Sequence, residues 1–600
     1  MKKTRVLLKP FLRSSCSSKV RIFSSLRSPN PDSNSEVTMD PSERYCYDPV
    51  LRWNPQVEEY FAKAYGSDHF ARISKALSCP SRYSCIRVNT LRTTSDAVIE
   101  KLSKILDESE EGKRLAKADG SSAISKCQIP GLEYVVFVKG SGPHLIDYGC
   151  DIGKPPKEVI VSRKCAEAVL RGAQVYVPGV MACSAHVEKG DAVAVSVAIE
   201  QPCDNGGWSI NMTRGTTLQG LQTDPYYCER NGLYIGQGTA MLSRAGIFRV
   251  LEGIAVDMNN RVFRLPSLYN VLEGEVFLQN LPSIVAAHAL DPQRGERILD
   301  MCAAPGGKTT AIAVLMKDDG EIVAADRSHN KVLDIQKLSA ELGLSCITTF
   351  KLDALKSVRR SNKLDDTTTA NSGNHGGSMT PQSSELLGSS NGTMPSDASI
   401  GSEADKSLEE NVRNEKPNKG PYVSKADIRK EMRRMKNGPG RNQSQGGRVG
   451  KSEGFSPNSF DRVLLDAPCS ALGLRPRLFA GEETVESLRN HGKYQRKMFD
   501  QAVQLVRPGG ILVYSTCTIN PSENEAVVRY ALDTYKFLSL APQHPRIGGP
   551  GLVGRCEFSD GYVEEWLRPG EEELVQKFDP SAELDTIGFF IAKFSVGSKD

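Results

Sequence analysis

Several features that define other protein classes are missing from this 600-residue sequence. It contains no run of about eighteen apolar residues, so no membrane-spanning helix is expected. Its 15 cysteines form no CxxC pair and no regular spacing, which argues against a disulfide scaffold or a zinc ribbon, and no metal site is expected. The 76 Lys and Arg nearly balance the 72 Asp and Glu, so the net charge is only +4. A nucleic-acid partner would therefore need local basic patches.

Acidic residues are absent before Asp32, whereas basic residues and serines are frequent there. This composition is typical of an organellar transit peptide. The alternative is a disordered extension upstream of a second start at Met39. Residues 1–38 are therefore predicted to be a disordered or transit-peptide-like extension. The compartment remains open between the cytoplasm and a mitochondrion or plastid.

Aliphatic residues are scarce between residues 357 and 456, where Ser, Gly, Asn and charged residues dominate. Such a segment cannot bury enough apolar surface to offset its chain entropy, so we predict a disordered insertion at 357–456. Basic residues are concentrated from Lys425 to Arg448. They suit either an arm that contacts RNA phosphates or a solvated charged loop.

The remainder divides into three predicted parts. Residues 45–157 mix helical and strand patterns and are predicted to form an N-terminal α+β segment that binds RNA. Residues 158–253 contain short β runs separated by glycines, such as Ala192–Val197, which favours a small β-barrel. From Arg297 strands alternate with helices, predicting an α/β domain with a doubly wound parallel sheet. That catalytic domain is assigned to residues 254–356 and 457–597.

A glycine-bearing turn, Asp300-Met-Cys-Ala-Ala-Pro-Gly-Gly-Lys308, follows one predicted strand and opens a helix over Thr309–Met316. Its glycines would let a ligand approach the backbone and the amides of the helix N-terminus. Asp326 and Asp353 are predicted to end the next two strands, which would complete a nucleoside site at the carboxyl edge of the sheet. A phosphate-binding P-loop is excluded because Cys302 stands where that motif needs glycine. A purely structural glycine turn remains an alternative.

Two cysteines follow two further predicted strands, in Asp466-Ala-Pro-Cys469 and Ser515-Thr-Cys517. A lone cysteine is usually a small buried apolar residue. Two cysteines at matching strand ends beside a nucleoside site instead favour chemistry. Carbon 5 of cytosine is too weak a nucleophile to accept a methyl group until a thiolate adds at carbon 6. A thiol, a carboxyl group and a further basic group are needed, and the sequence offers all three.

These residues resemble the Sun-domain RNA cytosine-5 methyltransferases, a family that uses S-adenosylmethionine. The resemblance rests on Asp-Met-Cys-Ala-Ala-Pro-Gly-Gly-Lys, Asp326-Arg, Leu-Asp-Ala-Pro-Cys-Ser and Tyr-Ser-Thr-Cys-Thr-Ile-Asn-Pro-Ser-Glu-Asn-Glu, in the family's order. Arg87-Val88-Asn89 also looks like the family's N-terminal motif. The resemblance covers most of the chain beyond residue 50, apart from the insertion, and implies a Rossmann-like catalytic domain.

The segment from Val161 to Gly179 looks like the start of a PUA domain, a small RNA-binding barrel, and Lys189-Gly190-Asp191 and Gly236-Gln-Gly238 fit its later strands. A PUA domain before the catalytic domain resembles the branch that modifies the acceptor end of certain tRNAs and some messenger RNA sites. By this resemblance the PUA domain would hold the 3′ CCA end. A barrel that merely scaffolds the chain is the alternative. A monomer is expected.

The resemblance also implies roles for individual residues. Cys517 would be the nucleophile, Cys469 would help remove the carbon 5 proton, and Asp466 would contact the Watson–Crick edge with support from Lys308. The residues that would bind S-adenosylmethionine are Cys302, Ala303, Ala304, Pro305, Gly306, Gly307, Lys308, Asp326, Asp353 and Asp466.

Two departures and two alternatives accompany this interpretation. Ala471 stands where the family often has glycine, which would narrow the pocket slightly, and the insertion is unusually long. A DNA methyltransferase is disfavoured because those enzymes use the Pro-Cys thiol as nucleophile and lack a PUA-like barrel. A non-catalytic RNA-binding scaffold is disfavoured because the sequence keeps the full set of thiols and carboxylates.

Overall fold

The computed structural model describes residues 45, 47–108, 122–149, 156–203, 207–210, 212–218, 232–268, 270–359, 450–451 and 453–599. The predicted extension at 1–38, most of the predicted insertion at 357–456 and its basic part from Lys425 to Arg448 lie outside these residues. Within the described ranges, no helix is long and apolar enough to cross a membrane.

Helices and strands are numbered along the chain. The helices are α1 Pro55–Tyr65, α2 Ser67–Leu77, α3 Ser95–Glu108, α4 Arg163–Leu170, α5 Arg244–Arg249, α6 Leu281–Leu290, α7 Gly307–Leu315, α8 His329–Leu342, α9 Val485–Leu505 and α10 Glu525–Thr534. The strands are β1 Tyr83–Val88, β2 Ile124–Lys126, β3 Val135–Lys139, β4 Glu158–Ser162, β5 Val175–Tyr176, β6 Val180–Ser184, β7 Ala192–Ala198, β8 Gln201–Pro202, β9 Trp208–Ser209, β10 Thr216–Leu218, β11 Leu233–Ala240, β12 Ile254–Arg261, β13 Val276–Leu278, β14 Arg297–Asp300, β15 Glu321–Asp326, β16 Ile347–Lys351, β17 Gly450–Lys451, β18 Phe460–Asp466, β19 Val506–Thr516, β20 Leu538–Leu540, β21 Arg555–Glu557, β22 Val563–Glu565, β23 Val575–Phe578 and β24 Phe589–Val596.

The N-terminal segment is α+β, as predicted. Helices α1 and α2 share an apolar cluster with Leu488 of α9 and Ile519, so they pack on the catalytic domain. The sheet of this segment has the order β13-β1-β3-β2. Because β13 follows the small β domain in the chain, this sheet is completed by residues outside the predicted range 45–157.

The small β domain forms a seven-stranded sheet of order β10-β6-β4-β7-β11-β12-β5. The predicted strand at Ala192–Val197 is confirmed as β7. The predicted boundary between residues 253 and 254 is wrong, because β12 pairs with β11 and β5 and belongs to this domain. The sequence also predicts a short β run at residues 174–179. It forms only the two-residue strand β5 before a 3₁₀ turn that contains Pro178, a residue without an amide hydrogen for a strand ladder.

The catalytic domain confirms the predicted doubly wound sheet. Its strand order is β17-β16-β15-β14-β18-β19-β24-β20, with β23 also paired to β24. The first six strands in this order, from β17 to β19, are mutually parallel. Strand β24 runs antiparallel to β19. The chain order reverses between β14 and β18, and ligands of such sheets bind at this switch point, beyond the carboxyl ends of the strands.

Two predicted element ends in this domain are wrong. The strand predicted to end at Asp353 ends at Lys351, and the Asp353 carboxylate instead caps a 3₁₀ turn by accepting a hydrogen bond from the Leu355 amide (3.1 Å). The sequence pattern also predicts a helix near residues 494–506, but this helix, α9, begins at Val485. A reciprocal capping box between Thr484 and Ser487 fixes its first turn, and this device uses Ser where Glu or Gln is usual.

Both ends of the predicted insertion belong to the sheet, which corrects the boundaries 357 and 456. Strand β17 pairs with β16, and Val358 forms a β-bridge with Phe455. The Phe455 ring packs edge-on against Phe350 and Phe460 at 6.0 and 5.2 Å between centroids. These contacts extend the apolar core to the edge of the sheet.

Replacing residues 361–448 with a short Gly/Ser linker should therefore leave the cooperative unfolding transition in place. Deleting 357–456 should lower the free energy of unfolding by about 2 kcal/mol, since the Phe455 contacts are lost. Denaturant titration of both deletion variants and the full chain measures the difference. Equal stability of the two variants would contradict an ordered edge.

Candidate active site

The site lies where the sequence placed it, at the carboxyl edge of the parallel sheet. Asp300, Asp326 and Asp466 are the last residues of β14, β15 and β18, and Cys517 directly follows β19. Adjacent strands pair in register, with Asp300 opposite Leu464 and Asp466 opposite Ser515. Parallel pairing therefore brings residues that are far apart in the chain to one crevice.

The turn from Asp300 to Lys308 connects β14 to α7. Gly306 has a φ of 104°, in the left-handed region that favours glycine. A Cβ atom added at Gly307 would lie 3.1 Å from the Phe277 ring, so the second glycine lets the turn pack against β13. The Ala303 amide donates to the carbonyl of Ala325 (3.0 Å), which fixes the turn to the neighbouring strand end.

Two cavities flank this turn. The Asp326 cavity has a volume of about 580 Å³, and its walls include Cys302, Asp326, Asp353, Cys469 and Tyr494. A nucleoside needs carboxylates that accept hydrogen bonds from its hydroxyl and amino groups, next to apolar and aromatic walls, and this cavity offers both. This chemistry fits the adenosine part of S-adenosylmethionine.

The second cavity, the Lys308 cleft, has a volume of about 640 Å³. All three parts of the fold line it, including Tyr83 from the N-terminal segment, Arg171 from the small β domain, and Lys308, Asp466 and Arg475 from the catalytic domain. Cys302 lines both cavities. A ligand in one cavity therefore approaches a ligand in the other beside the turn.

All the predicted cofactor residues except Gly306 line one or both of these cavities. Asp326, Asp353 and Cys302 line the Asp326 cavity, as predicted for a nucleoside site. Ala303, Ala304, Pro305, Gly307 and Lys308 line the Lys308 cleft instead. The turn is thus the wall that separates the two cavities.

Lys308 and Asp466 form an ion pair at the floor of the Lys308 cleft, with 2.8 Å between Nζ and Oδ2. The other carboxylate oxygen of Asp466 accepts a hydrogen bond from the Ser515 hydroxyl (2.7 Å). Burial opposes the ammonium form of Lys308, but Asp466 outweighs burial and raises the pKa of Lys308. A fixed cation and a fixed carboxylate therefore face any base in the cleft.

The two predicted cysteines meet. The Sγ atoms of Cys469 and Cys517 lie 3.4 Å apart, within hydrogen-bonding distance. The hydrogen bond from Cys469 lowers the pKa of Cys517 despite its burial. That same bond, together with burial, raises the pKa of Cys469 well above its usual range. The pair therefore favours a thiolate on Cys517 and a thiol on Cys469.

Sequence reasoning missed two residues that build this site. Arg87 is buried and donates hydrogen bonds to Gln279 (2.8 Å) and to the Thr310 hydroxyl of α7 (2.7 Å), and burial lowers its pKa to about 10. Glu523 is buried behind both cysteines. Both residues stand in quoted motifs, but their contacts come from distant segments, so no local spacing reveals their function.

Ala471, which stands where the family often has glycine, adopts a left-handed backbone conformation. Ala471 has a φ of 55°, in the region where a residue with a Cβ is strained. The family's frequent glycine is explained by this conformation.

Asp300 is buried at the switch point, and burial raises the pKa of its carboxyl group to about 7. One oxygen accepts a hydrogen bond from the Thr309 hydroxyl (2.8 Å), which offsets the effect of burial only in part. The folded chain thus holds a proton on Asp300 at a pH where the unfolded chain releases it.

Asp300 should therefore reduce the free energy of unfolding as the pH rises from about 4 to about 7. Asp300→Asn has no titrating group at this position and should not lose this stability. The free energy of unfolding of the variant minus that of the wild type should therefore increase over that pH range, by about 4 kcal/mol at most. Denaturant titrations at pH 5 and pH 8 measure the change, with the exposed Asp334→Asn as control. A pH-independent difference would contradict the raised pKa.

Comparison with known proteins agrees with this geometry. A family profile described as 16S rRNA methyltransferase RsmB/F matches residues 287–367 and 427–595. A PUA-domain profile matches residues 157–198. The small β domain is therefore a PUA domain, as the sequence predicted.

Two relatives match this chain over nearly their full length. The chain is 74% identical to rRNA (cytosine-C(5))-methyltransferase NOP2C of Arabidopsis thaliana, over 100% of both chains. It is 33% identical to tRNA (cytosine(72)-C(5))-methyltransferase NSUN6 of Mus musculus, over 91% of this chain and 96% of the relative.

A solved structure confirms the fold. The crystal structure of NSun6 from Pyrococcus horikoshii with SFG superimposes with a TM-score of 0.59 at 24% identity, covering 92% of this chain and 100% of the other. S-adenosylmethionine is the cofactor, and the Asp326 cavity fits its nucleoside. The chain belongs to the RsmB/F family of S-adenosylmethionine-dependent RNA cytosine-C5 methyltransferases, with a PUA domain.

Proposed function

We propose that the chain methylates carbon 5 of a cytosine through a covalent adduct in which Cys517 is the nucleophile and Cys469 assists release. The observation that carries this proposal is the 3.4 Å contact between the two thiols. It lowers the pKa of Cys517 and raises that of Cys469, so Cys517 begins as the thiolate that a nucleophile requires, whereas Cys469 begins as a thiol and must lose its proton before it acts as a base.

The steps follow from the positions of these groups. The Cys517 thiolate adds to carbon 6, and the electrons of the 5,6 double bond move to carbon 5. Asp466 and Lys308 face the Watson–Crick edge and stabilise the developing charge. S-adenosylmethionine, when bound, supplies the electrophilic methyl group.

Release requires a base at carbon 5. Cys469 accepts the carbon 5 proton, the bond between carbon 6 and Sγ breaks, the double bond re-forms, and Cys517 leaves as a thiolate. Because Cys469 holds a proton at rest, that proton must pass to solvent before release. One proton is therefore released for each methyl group transferred.

The proposed substrate is the acceptor end of tRNA, with certain messenger RNA sites as further targets, and the proposed active species is a monomer. The Lys308 cleft supports an RNA end, because residues of the N-terminal segment and the PUA domain line it together with Lys308 and Asp466. The N-terminal segment and the PUA domain are proposed to bind RNA, with the PUA domain on the CCA end. The target base must be unpaired or flipped out, because stacking hides carbons 5 and 6.

Ribosomal RNA is the second candidate substrate. The observation that favours it is the 74% identity to a relative named as an rRNA methyltransferase. Relatives named as tRNA (cytosine(72)-C(5))-methyltransferases match at 33% and 27% identity. Labelled methyl transfer to purified tRNA, ribosomal RNA and messenger RNA separates these candidates, and absence of transfer to all three would favour a binding scaffold.

Cys517→Ala should abolish methyl transfer, at least about 10³-fold, because no other group can activate carbon 5. Cys469→Ala should form the adduct but release it slowly, and denaturing gel electrophoresis should reveal a protein–RNA complex. Cys346 lines neither cavity. The Cys346→Ala variant is therefore the control and should transfer methyl groups at the wild-type rate. Retained transfer by Cys517→Ala would overturn the covalent mechanism.

A further inference from the structure

Glu523 is a fully buried carboxyl group next to the thiol pair and has no part in the chemistry described above. It ends a 3₁₀ turn, Pro521–Glu523, that follows the Cys517 loop. A buried carboxylate is costly unless its oxygens are hydrogen-bonded. Burial raises the pKa of Glu523, as this cost implies.

Four hydrogen bonds from three residues surround the carboxylate. One oxygen accepts from the Ser470 amide (2.9 Å) and the Gln495 side chain (2.8 Å). The other accepts from the Ser470 hydroxyl (2.5 Å) and the Asn520 side chain (2.9 Å). We name Glu523 with Ser470, Gln495 and Asn520 the carboxylate bridge.

The bridge connects the two cysteine loops. Ser470 directly follows Cys469, Asn520 lies three residues after Cys517, and Gln495 also donates to the carbonyl of Pro468, just before Cys469 (3.0 Å). A second link runs between the hydroxyls of Thr518 and Ser470 (2.8 Å). Since Ser470 gives its only hydroxyl proton to Glu523, Thr518 is the donor in that link.

The surrounding helix is shaped to accommodate the bridge. A Cβ atom at Gly492 of α9 would lie 2.6 Å from the Ser522 carbonyl oxygen. Only glycine therefore lets α9 approach closely enough for Gln495 to reach Glu523.

The charge of Glu523 works against ionisation of the thiols. Its carboxylate raises the pKa of both Cys469 and Cys517, although this effect is weaker than that of the hydrogen bond between the two thiols. If Glu523 acted only through its charge, it would therefore disfavour the Cys517 thiolate. Its favourable contribution must come from the four hydrogen bonds, which join the two cysteine loops.

We propose that Glu523 is the positioning residue of the thiol pair, whose carboxylate holds the two cysteine loops together so that the Cys469 thiol donates to Cys517. The proposal rests on the proposed roles of these cysteines. Glu523→Gln tests it, because the side-chain amide has the same shape as the carboxylate but replaces one oxygen by an NH₂ group. That NH₂ group would face two hydrogen-bond donors and could accept from neither.

The primary measurement is the pH dependence of iodoacetamide alkylation of Cys517, followed by peptide mass spectrometry without RNA. If the bridge positions Cys469, Glu523→Gln removes the hydrogen bond that stabilises the thiolate, and alkylation at pH 7 should slow about tenfold. The kcat for methyl transfer should fall roughly 10- to 100-fold, whereas KM for RNA should change little. Faster alkylation, with the profile shifted to lower pH, would show that Glu523 acts only through its charge and would overturn the proposal.

Two comparisons isolate the positioning role. Glu525→Gln removes another fully buried carboxylate two residues away, paired with Lys577 at 2.7 Å, and should cost stability without changing the Cys517 profile. In a Cys469→Ala background, Glu523→Gln should cause no further slowing, because the residue it positions is already absent. An equal shift in Glu525→Gln, or additive slowing in the double variant, would contradict the proposal.

Ser470→Ala provides an independent test, because it removes the hydroxyl that donates to Glu523 and accepts from Thr518 but keeps the hydrogen bond from the Ser470 amide. It should slow Cys517 alkylation about threefold, and an unchanged rate would overturn the proposal even if Glu523→Gln does not fold. Because alkylation needs no RNA, these results stand apart from the proposed function. Methyl transfer retained by Cys517→Ala would defeat the proposed function while leaving the positioning result intact.

Discussion

The hydrogen bond between the Cys469 and Cys517 thiols, 3.4 Å apart, depends on the parallel pairing of β18 and β19. Both strands end at the same edge of the sheet, and each cysteine follows its strand within three residues. One shared proton then makes two chemically identical side chains unequal. Much of the remaining polar structure maintains this contact in a buried setting.

The site concentrates charge where burial is expensive. Lys308 balances Asp466, and the carboxylate bridge satisfies Glu523 with four donors. Burial raises the pKa of the Asp300 carboxyl group, and the hydrogen bond from Thr309 offsets this effect only in part. Partial compensation of this kind is typical of functional sites, where groups are held for chemistry at a cost in stability.

The sequence predicted the strand ends at Asp300 and Asp326, the glycine turn and the two cysteines because these are local patterns in neighbouring residues. It placed β12 in the wrong domain, because strand pairing with β11 is a long-range contact that no local pattern records. The same limit applies to Glu523 and Arg87, whose partners lie on other elements. The edge contacts of Phe455 were missed because the flanking composition is polar, although its ring packs on two phenylalanines.

In the proposed mechanism the Cys517 sulfur, and not that of Cys469, bonds to carbon 6 of the target base. RNA containing 5-fluorocytosine would trap the methylated adduct, since carbon 5 then carries fluorine in place of the proton that a base must remove for release. Nuclease and protease digestion followed by tandem mass spectrometry then identifies the cross-linked residue. If Cys517 is the nucleophile, a modified nucleotide is expected on the peptide that contains Cys517. A nucleotide on the peptide that contains Cys469, or no adduct with an RNA that is otherwise methylated, would contradict it.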